Sequence, residues 1–366
     1  MKINCLVQNL KDAVLVAERN TAKNQTLPIL NSIFIETDNG KIKVKATNLE
    51  TAIEINIQGK VEESGNIAVF AKTLSLFLSN LKDEQVTLES RKNNLFVKTK
   101  TAETTIRGFS SEDFPLFPKI EAVETFSLPA HELRSAISSV VIAVSTSDIK
   151  PELSSMLFKV FKNTVKIAAT DSFRLAEKTI VSKNISMEKL VSFLIPQRSV
   201  QEILKIIEND DIKFGFNKNQ IVLHNNNMRF ISRLTEGTFP DYEQILPKEF
   251  KISAIADKAE IISNLKLAGI FSGKLNDLNI NFSSENKKIY FQTANQDVGE
   301  HSSEIKATMA GGGATVKFNW KYIFDGVSQI NQEHVVFDLN NSESPLLIHG
   351  KGDSSYIYLV MPMRGV

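Results

Sequence analysis

A chain of 366 residues with 42% hydrophobic content is too long for one ordinary core and apolar enough to fill two or three, which excludes disorder as its default state. Lysine and arginine total 43 against 42 aspartates and glutamates; the formal net charge of +1 excludes a strongly basic grip on nucleic acid as judged from totals, though not a segregated patch. One cysteine, Cys5, leaves no internal disulfide, MKINCLVQNL lacks the apolar run of a signal peptide, and no stretch approaches the roughly 18 consecutive apolar residues of a membrane span, so a reducing cytoplasm without membrane contact is the expected setting.

The first expected element is a helix in NLKDAVLVAERN, 9–20. A β-hairpin follows in NSIFIETDNGKIKVKAT, 31–47, with alternating runs on both sides of a polar Asn-containing turn. A second helix is expected in KTLSLFLSNLKD, 72–83. The stretch DFPLFPKIEAVETF, 113–126, carries Phe-Pro and a second proline; proline neither extends a helix nor donates to a central strand, so it reads as an extended connector.

The same order then recurs. HELRSAISSVVIAVS, 131–145, places Leu133, Ile137, Val140, Val141 and Val144 at spacings of three and four, one apolar stripe on a helix. The hairpin SSMLFKVFKNTVKIAAT, 154–170, leads to a helix in QRSVQEILKIIEN, 197–209, and to a second connector, TFPDYEQILPKEF, 238–250. A third pass gives DKAEIISNLKLAG, the hairpin NINFSSENKKIYFQT and NWKYIFDGVSQI. Thr47, Thr170 and Thr293 stand 123 residues apart, and Phe34, Phe158 and Phe282 stand 124 apart. The expected fold is therefore α+β, with three copies of one unit at 1–123, 124–250 and 251–366, each with two helices packed on antiparallel sheets. Each copy leaves strand edges at its ends, and pairing edge to edge covers them. Units so joined form an arc, which head-to-tail contact between chains can close.

Catalytic constellations are missing. His131, His224, His301, His334 and His349 are scattered, and HELRS has Ser135 where a zincin helix needs its second histidine. MAGGGATVKF continues as a strand with no Gly-Lys-Ser/Thr, so it reads as a loop. Asp171, between Thr170 and Arg174, reads as a turn-capping aspartate. No catalytic residue, cofactor or metal is expected.

Ala169 to Ala176 (ATDSFRLA), Phe239-Pro240-Asp241-Tyr242 with Leu246-Pro247, and Val360 to Arg364 (VMPMR) together resemble the bacterial sliding clamp family, the beta subunit of DNA polymerase III. The resemblance spans the whole chain and includes the three-unit plan. It implies half of a homodimeric ring of six DNA-clamp domains whose helices surround double-stranded DNA, tethering the replicative polymerase without doing chemistry. The clamp loader and other proteins with clamp-binding motifs are the further partners it implies.

The resemblance also implies sites. Partner peptides would enter a groove at Leu153, Thr170, Arg174, Leu175, Pro240, Ile245, Leu359, Val360, Met361, Pro362, Met363 and Arg364. Pro362 ends the SYIYLV ladder, which frees the adaptable thioethers of Met361 and Met363. Two buried anchors at about 1.5 to 3 kcal/mol each, less the ordering of the peptide, predict modest affinity and easy exchange of partners. Lys11, Arg19, Lys72, Arg134, Arg198, Lys205, Lys258 and Lys266 lie on the helices that would face DNA. Lys11 and Arg19, like Lys258 and Lys266, are eight residues apart and so within about 80° on a helix, a sparse basic face for sequence-independent, salt-sensitive contacts. Ile270 and Phe271 match the family's dimer seam. The chain departs from the family at Ser172-Phe173, where Gly-His is usual, at Gln244, where many members have arginine, and at Pro151-Glu152, where some clamps have two tyrosines.

Two rival readings are an enzyme built on dispersed carboxylates and a β-rich adaptor that binds peptides without DNA. Retention on circular but not linear DNA separates a clamp from both.

Overall fold

A computed structural model describes residues 1–22, 26–117, 124–207 and 210–363. A helix forms at each expected place: α1 Val7–Arg19, α2 Ala71–Asn80, α3 Ala130–Val140, α4 Gln197–Ile206, α5 Lys258–Ile270 and α6 Trp320–Ser328, but α3 stops short of 145, with Val141 in a 3-10 turn and Val144 extended after it. Helix α1 buries Val7, Leu10, Ala13, Val14 and Ala17, a stripe at spacings of three and four, and ends where the Asn20 side chain donates to the Val16 carbonyl at 3.1 Å. Helix α2 stops at Asn80 rather than 83 because Leu81 is extended. Helix α5 starts at an N-cap, Asp257, whose carboxylate accepts the Glu260 amide at 2.9 Å.

The chain forms two compact units, residues 1–131 with 201–234 and residues 132–200 with 235–366. In the first, a 13-stranded sheet runs from one sequence copy into the next: Met228–Arg233 pairs antiparallel with Thr51–Ile57, setting Ile231 opposite Ala52. In the second, a nine-stranded sheet contains the same joint, Tyr356–Val360 against Arg174–Val181 with Leu359 opposite Leu175. A separate four-stranded sheet in that unit carries the hairpin Asp277–Ser283 and Lys288–Asn295. Edge-to-edge pairing between copies thus takes the form of two continuous ladders. Each ladder takes half of the middle copy's strands, so compactness divides the chain differently from the repeat.

The cores follow from strand alternation. Leu278, Ile280 and Phe282 are buried at every second position of Asp277–Ser283, and Phe158 is fully buried at the equivalent place in the middle copy. Helix α6 lies so close to the strand Tyr356–Val360 that a Cβ on Gly326 would come within 2.2 Å of the Tyr358 ring, so only glycine fits there.

The recurrent threonines play one part twice and another once. The hydroxyl of Thr47 donates to the Thr51 carbonyl at 2.8 Å and that of Thr170 to the Arg174 carbonyl at 2.7 Å, closing identical turns. Thr293 instead donates to the Ala268 carbonyl in α5 at 3.1 Å.

Candidate partner groove and basic helix faces

The turn after Thr170 builds one wall of a cavity in the second unit. Asp171 caps it, accepting the Phe173 amide at 2.9 Å and the Arg174 amide at 3.0 Å, and Ser172 adopts φ +76°. Arg174, which opens the next strand, is fixed in place: Nε donates to Asp171 at 2.9 Å, Nη1 donates to Asp325 of α6 at 2.6 Å, and the guanidinium stacks 4.4 Å from the Tyr322 ring centre. The floor is apolar, formed by Leu175 and Leu359 across the ladder, with Leu347, Phe239 and Tyr242 in the same cluster. Burial and the neighbouring Glu177 hold the Tyr242 phenol well above its ordinary pKa, so it stays protonated and donates to Glu177.

The cavity has a volume of about 180 Å³. It brings together seven of the expected groove residues, Thr170, Arg174, Leu175, Pro240, Ile245, Leu359 and Met361. Ile245 stands at its mouth with 54% of its surface exposed, and the Met361 amide is fixed by the Phe173 carbonyl at 2.9 Å. Val360 is fully buried in the ladder behind the cavity, and Leu153 is buried in the loop before Ser155–Lys162, its amide on the Lys150 carbonyl; neither lines the cavity. Pro362 and Met363 are half-buried beyond it, the Met363 amide bonding to the Lys317 carbonyl at 2.8 Å. Arg364 lies outside the described residues. Ser172, Tyr242 and Leu246 line the cavity without belonging to the groove set expected from the sequence, although Ser172 is one of the departures and Tyr242 and Leu246 stand in the Phe-Pro-Asp-Tyr and Leu-Pro motifs. Gln244, one of the departures, donates to Asp241 at 2.7 Å beside the mouth.

The basic residues are differently placed. Lys72, Arg134 and Lys266 are exposed on α2, α3 and α5, and the Lys266 ammonium lies 5.7 Å from the Phe324 ring. Arg198 is almost fully exposed at the start of α4, 4.0 Å from Asp148. Glu202 binds both Arg19, at 3.3 Å, and Lys205, at 2.7 Å, so that α1 and α4 carry one linked cluster with an excess of positive charge. Lys11 is half-buried on α1. Lys258 differs from the rest, because its ammonium donates to the Ser328 and Ile330 carbonyls at the end of α6. Those bonds cap the C-terminal end of α6.

Ile270 is 63% exposed at the end of α5, and Phe271 stacks on His301 with ring centres 5.6 Å apart. Leu267 and Val298 are also exposed in this part of the second unit.

Family models describing the N-terminal, central and C-terminal domains of the DNA polymerase III beta subunit match residues 1–118, 127–241 and 243–364. The chain is 26% identical over 388 residues to a beta sliding clamp of Synechocystis, an alignment covering 100% of this chain and 99% of that one. It is 26% identical over 351 residues to a beta sliding clamp of Staphylococcus aureus, covering 93% of each. The fold matches DNA polymerase III subunit beta from Pseudomonas aeruginosa with a TM-score of 0.95 at 24% identity, and a DNA polymerase sliding clamp from Bacillus subtilis with 0.95 at 23%, each over 100% of both chains.

Proposed function

The chain belongs to the DNA polymerase III beta subunit family, and from that premise we propose how its surfaces serve a sliding clamp. It is a non-catalytic processivity factor: a homodimeric ring encircles duplex DNA and tethers the polymerase. Topology does the holding, so contacts with the duplex need only be weak, and strong ones would impede sliding.

The observation that carries the ring is an unfinished joint. The last strand of the middle copy, Met228–Arg233, pairs with Thr51–Ile57, and the last strand of the third, Tyr356–Val360, pairs with Arg174–Val181. The equivalent halves of a third joint are open. Gly299–Lys306 is an edge strand bonded to Lys288–Asn295 alone among the described residues. Glu103–Phe109 pairs with Asn94–Lys98 but reaches Asn66–Phe70 only at Gly108 and Phe109. Two different open halves on one chain are complementary between two chains, which is the requirement for head-to-tail closure. Both are flanked by apolar surface: Leu267, Ile270 and Val298 near one, and near the other a cavity of about 290 Å³ lined by residues including Phe70, Phe77 and Ile106. Replacing Ile270 and Phe271 by aspartate should give folded monomers in sedimentation velocity; dimers of unchanged stability would overturn this seam.

The cavity beside Thr170 takes the apolar anchors of linear peptides from the polymerase, the clamp loader and other partners. Its rim residue Met361 and exposed Ile245 adapt to different anchors, and the cost of ordering the peptide keeps affinity modest. Lys11, Arg19, Lys72, Arg134, Arg198, Lys205 and Lys266 make sparse phosphate contacts; Lys258 is withdrawn from that set by its bonds to α6. The functional domains are 1–123, 124–250 and 251–366, and the cytoplasm is the site of action. No described helix is long and apolar enough to cross a membrane.

A further inference from the structure

We propose that the first unit holds a second peptide cleft, which takes an apolar anchor beside an acidic residue. The inference rests on reading the Thr170 cavity as a peptide groove, because the second cleft repeats that cavity's wall and floor.

The wall is the same turn. Leu49 has φ +75° and its amide bonds to the Thr47 hydroxyl at 3.1 Å; Ser172 has φ +76° and its amide bonds to the Thr170 hydroxyl at 3.1 Å. Asn48 accepts the Glu50 and Thr51 amides at 3.0 and 2.6 Å, as Asp171 accepts those of Phe173 and Arg174. The ladder supplies the same floor, with Ala52 opposite Ile231 and Ile231 opposite Val222, where the groove has Leu175, Leu359 and Leu347. The connectors match as well: Phe114-Pro115-Leu116-Phe117 stands where Phe239-Pro240-Asp241-Tyr242 does in the groove, and Phe117 packs on the Ala52, Val222 and Ile231 cluster. The cleft encloses about 230 Å³.

The occupant's chemistry follows from where the two clefts differ. The Arg233 amide donates to the Glu50 carbonyl at 2.9 Å, the bond that Met361 makes to Phe173. An ionic pair, Arg233 and Glu50 at 3.7 Å, therefore stands where the groove has an apolar rim. Both side chains are more than half exposed, and this loose contact leaves most of the five guanidinium donors available to a ligand carboxylate. Leu116, 97% exposed on the rim, offers the apolar contact.

The test pans random heptapeptides against the full-length chain carrying Ile245→Asp, which removes selection at the Thr170 groove, and against the parent chain. Peptides from the variant should pair an aliphatic or aromatic residue with Asp or Glu, bind the parent equally well in fluorescence anisotropy, and weaken at least about tenfold with Arg233→Glu or Leu116→Asp. Both substitutions are at exposed positions, and circular dichroism checks the fold. If only peptides sensitive to Ile245→Asp emerge, the second cleft is refuted while the groove stands. If only peptides sensitive to Arg233→Glu emerge, the second cleft stands and the groove reading falls. If neither class emerges, both fall. If Leu116→Asp changes the sedimentation coefficient without changing peptide binding, the face is a contact between copies and the proposal is wrong.

Discussion

His349 lies between two acceptors, with Nδ1 3.0 Å from the Gly350 carbonyl and Nε2 3.0 Å from Asp338. A ring that donates to both is the imidazolium, and the hydrogen bond to Asp338 raises its pKa above 6.5 despite the opposing effect of burial. A raised folded-state pKa means that the pair's contribution is fully present below about 6.5 and is lost as pH rises through the folded value. The stability gap between the parent and His349→Gln in urea unfolding should therefore be widest in mild acid and narrow towards alkaline pH; a gap that widens with pH would contradict this. Cys5 is a simpler case: burial pushes its thiol up to about 11, so a thiol reagent at neutral pH should find it inert until the chain unfolds. Asp171 was legible as a turn cap because the Thr-Asp-x-x-Arg string carries its own local hydrogen bonds. Lys258 was not, because helical spacing says which face a lysine occupies and not which carbonyls its ammonium will find. Leu153 and Val360, which the family pattern assigns to the groove, are buried by the preceding loop and by the ladder.

Among the elements, the strand Tyr356–Val360 links the groove to the fold. It pairs on both sides, with Arg174–Val181 and with Leu346–Gly350, and ends at Val360 because Pro362 cannot continue the ladder. A chain ending at Val360 should keep both ladders, and hence its secondary structure and dimer, while losing the Met361 rim and its partner peptides. A truncated protein with unchanged peptide affinity would show that the rim lies elsewhere. The helices were legible because their apolar stripes recur at spacings of three and four; their ends were less so, since extended Leu81 stops α2 early without proline or glycine. Thr293 shows the limit of counting. It keeps the 123-residue interval but bonds to α5, and Asn295, two positions on, lacks the left-handed conformation that Leu49 and Ser172 adopt.

At the scale of the whole molecule, the three-fold plan was legible in spaced threonines and phenylalanines, and so was the need to cover strand edges. Which edges pair was not, because register between distant strands depends on the assembled sheet. Nor did the repeat predict the two compact units, since ladders that join copies take strands from the middle one on both sides. Two joints made and one left open are what a closed ring of two chains requires, and closure around DNA is the claim on which the function stands. The decisive measurement assembles the labelled protein on singly nicked circular duplex with a clamp loader, gel-filters it in high salt to remove phosphate-bound chains, and then linearises the DNA. The expected result is co-elution with the circle through the salt wash and release once the duplex has ends. Loss from the circle in salt, or equal retention on circular and linear DNA, would show that the chain grips DNA by contact and does not enclose it.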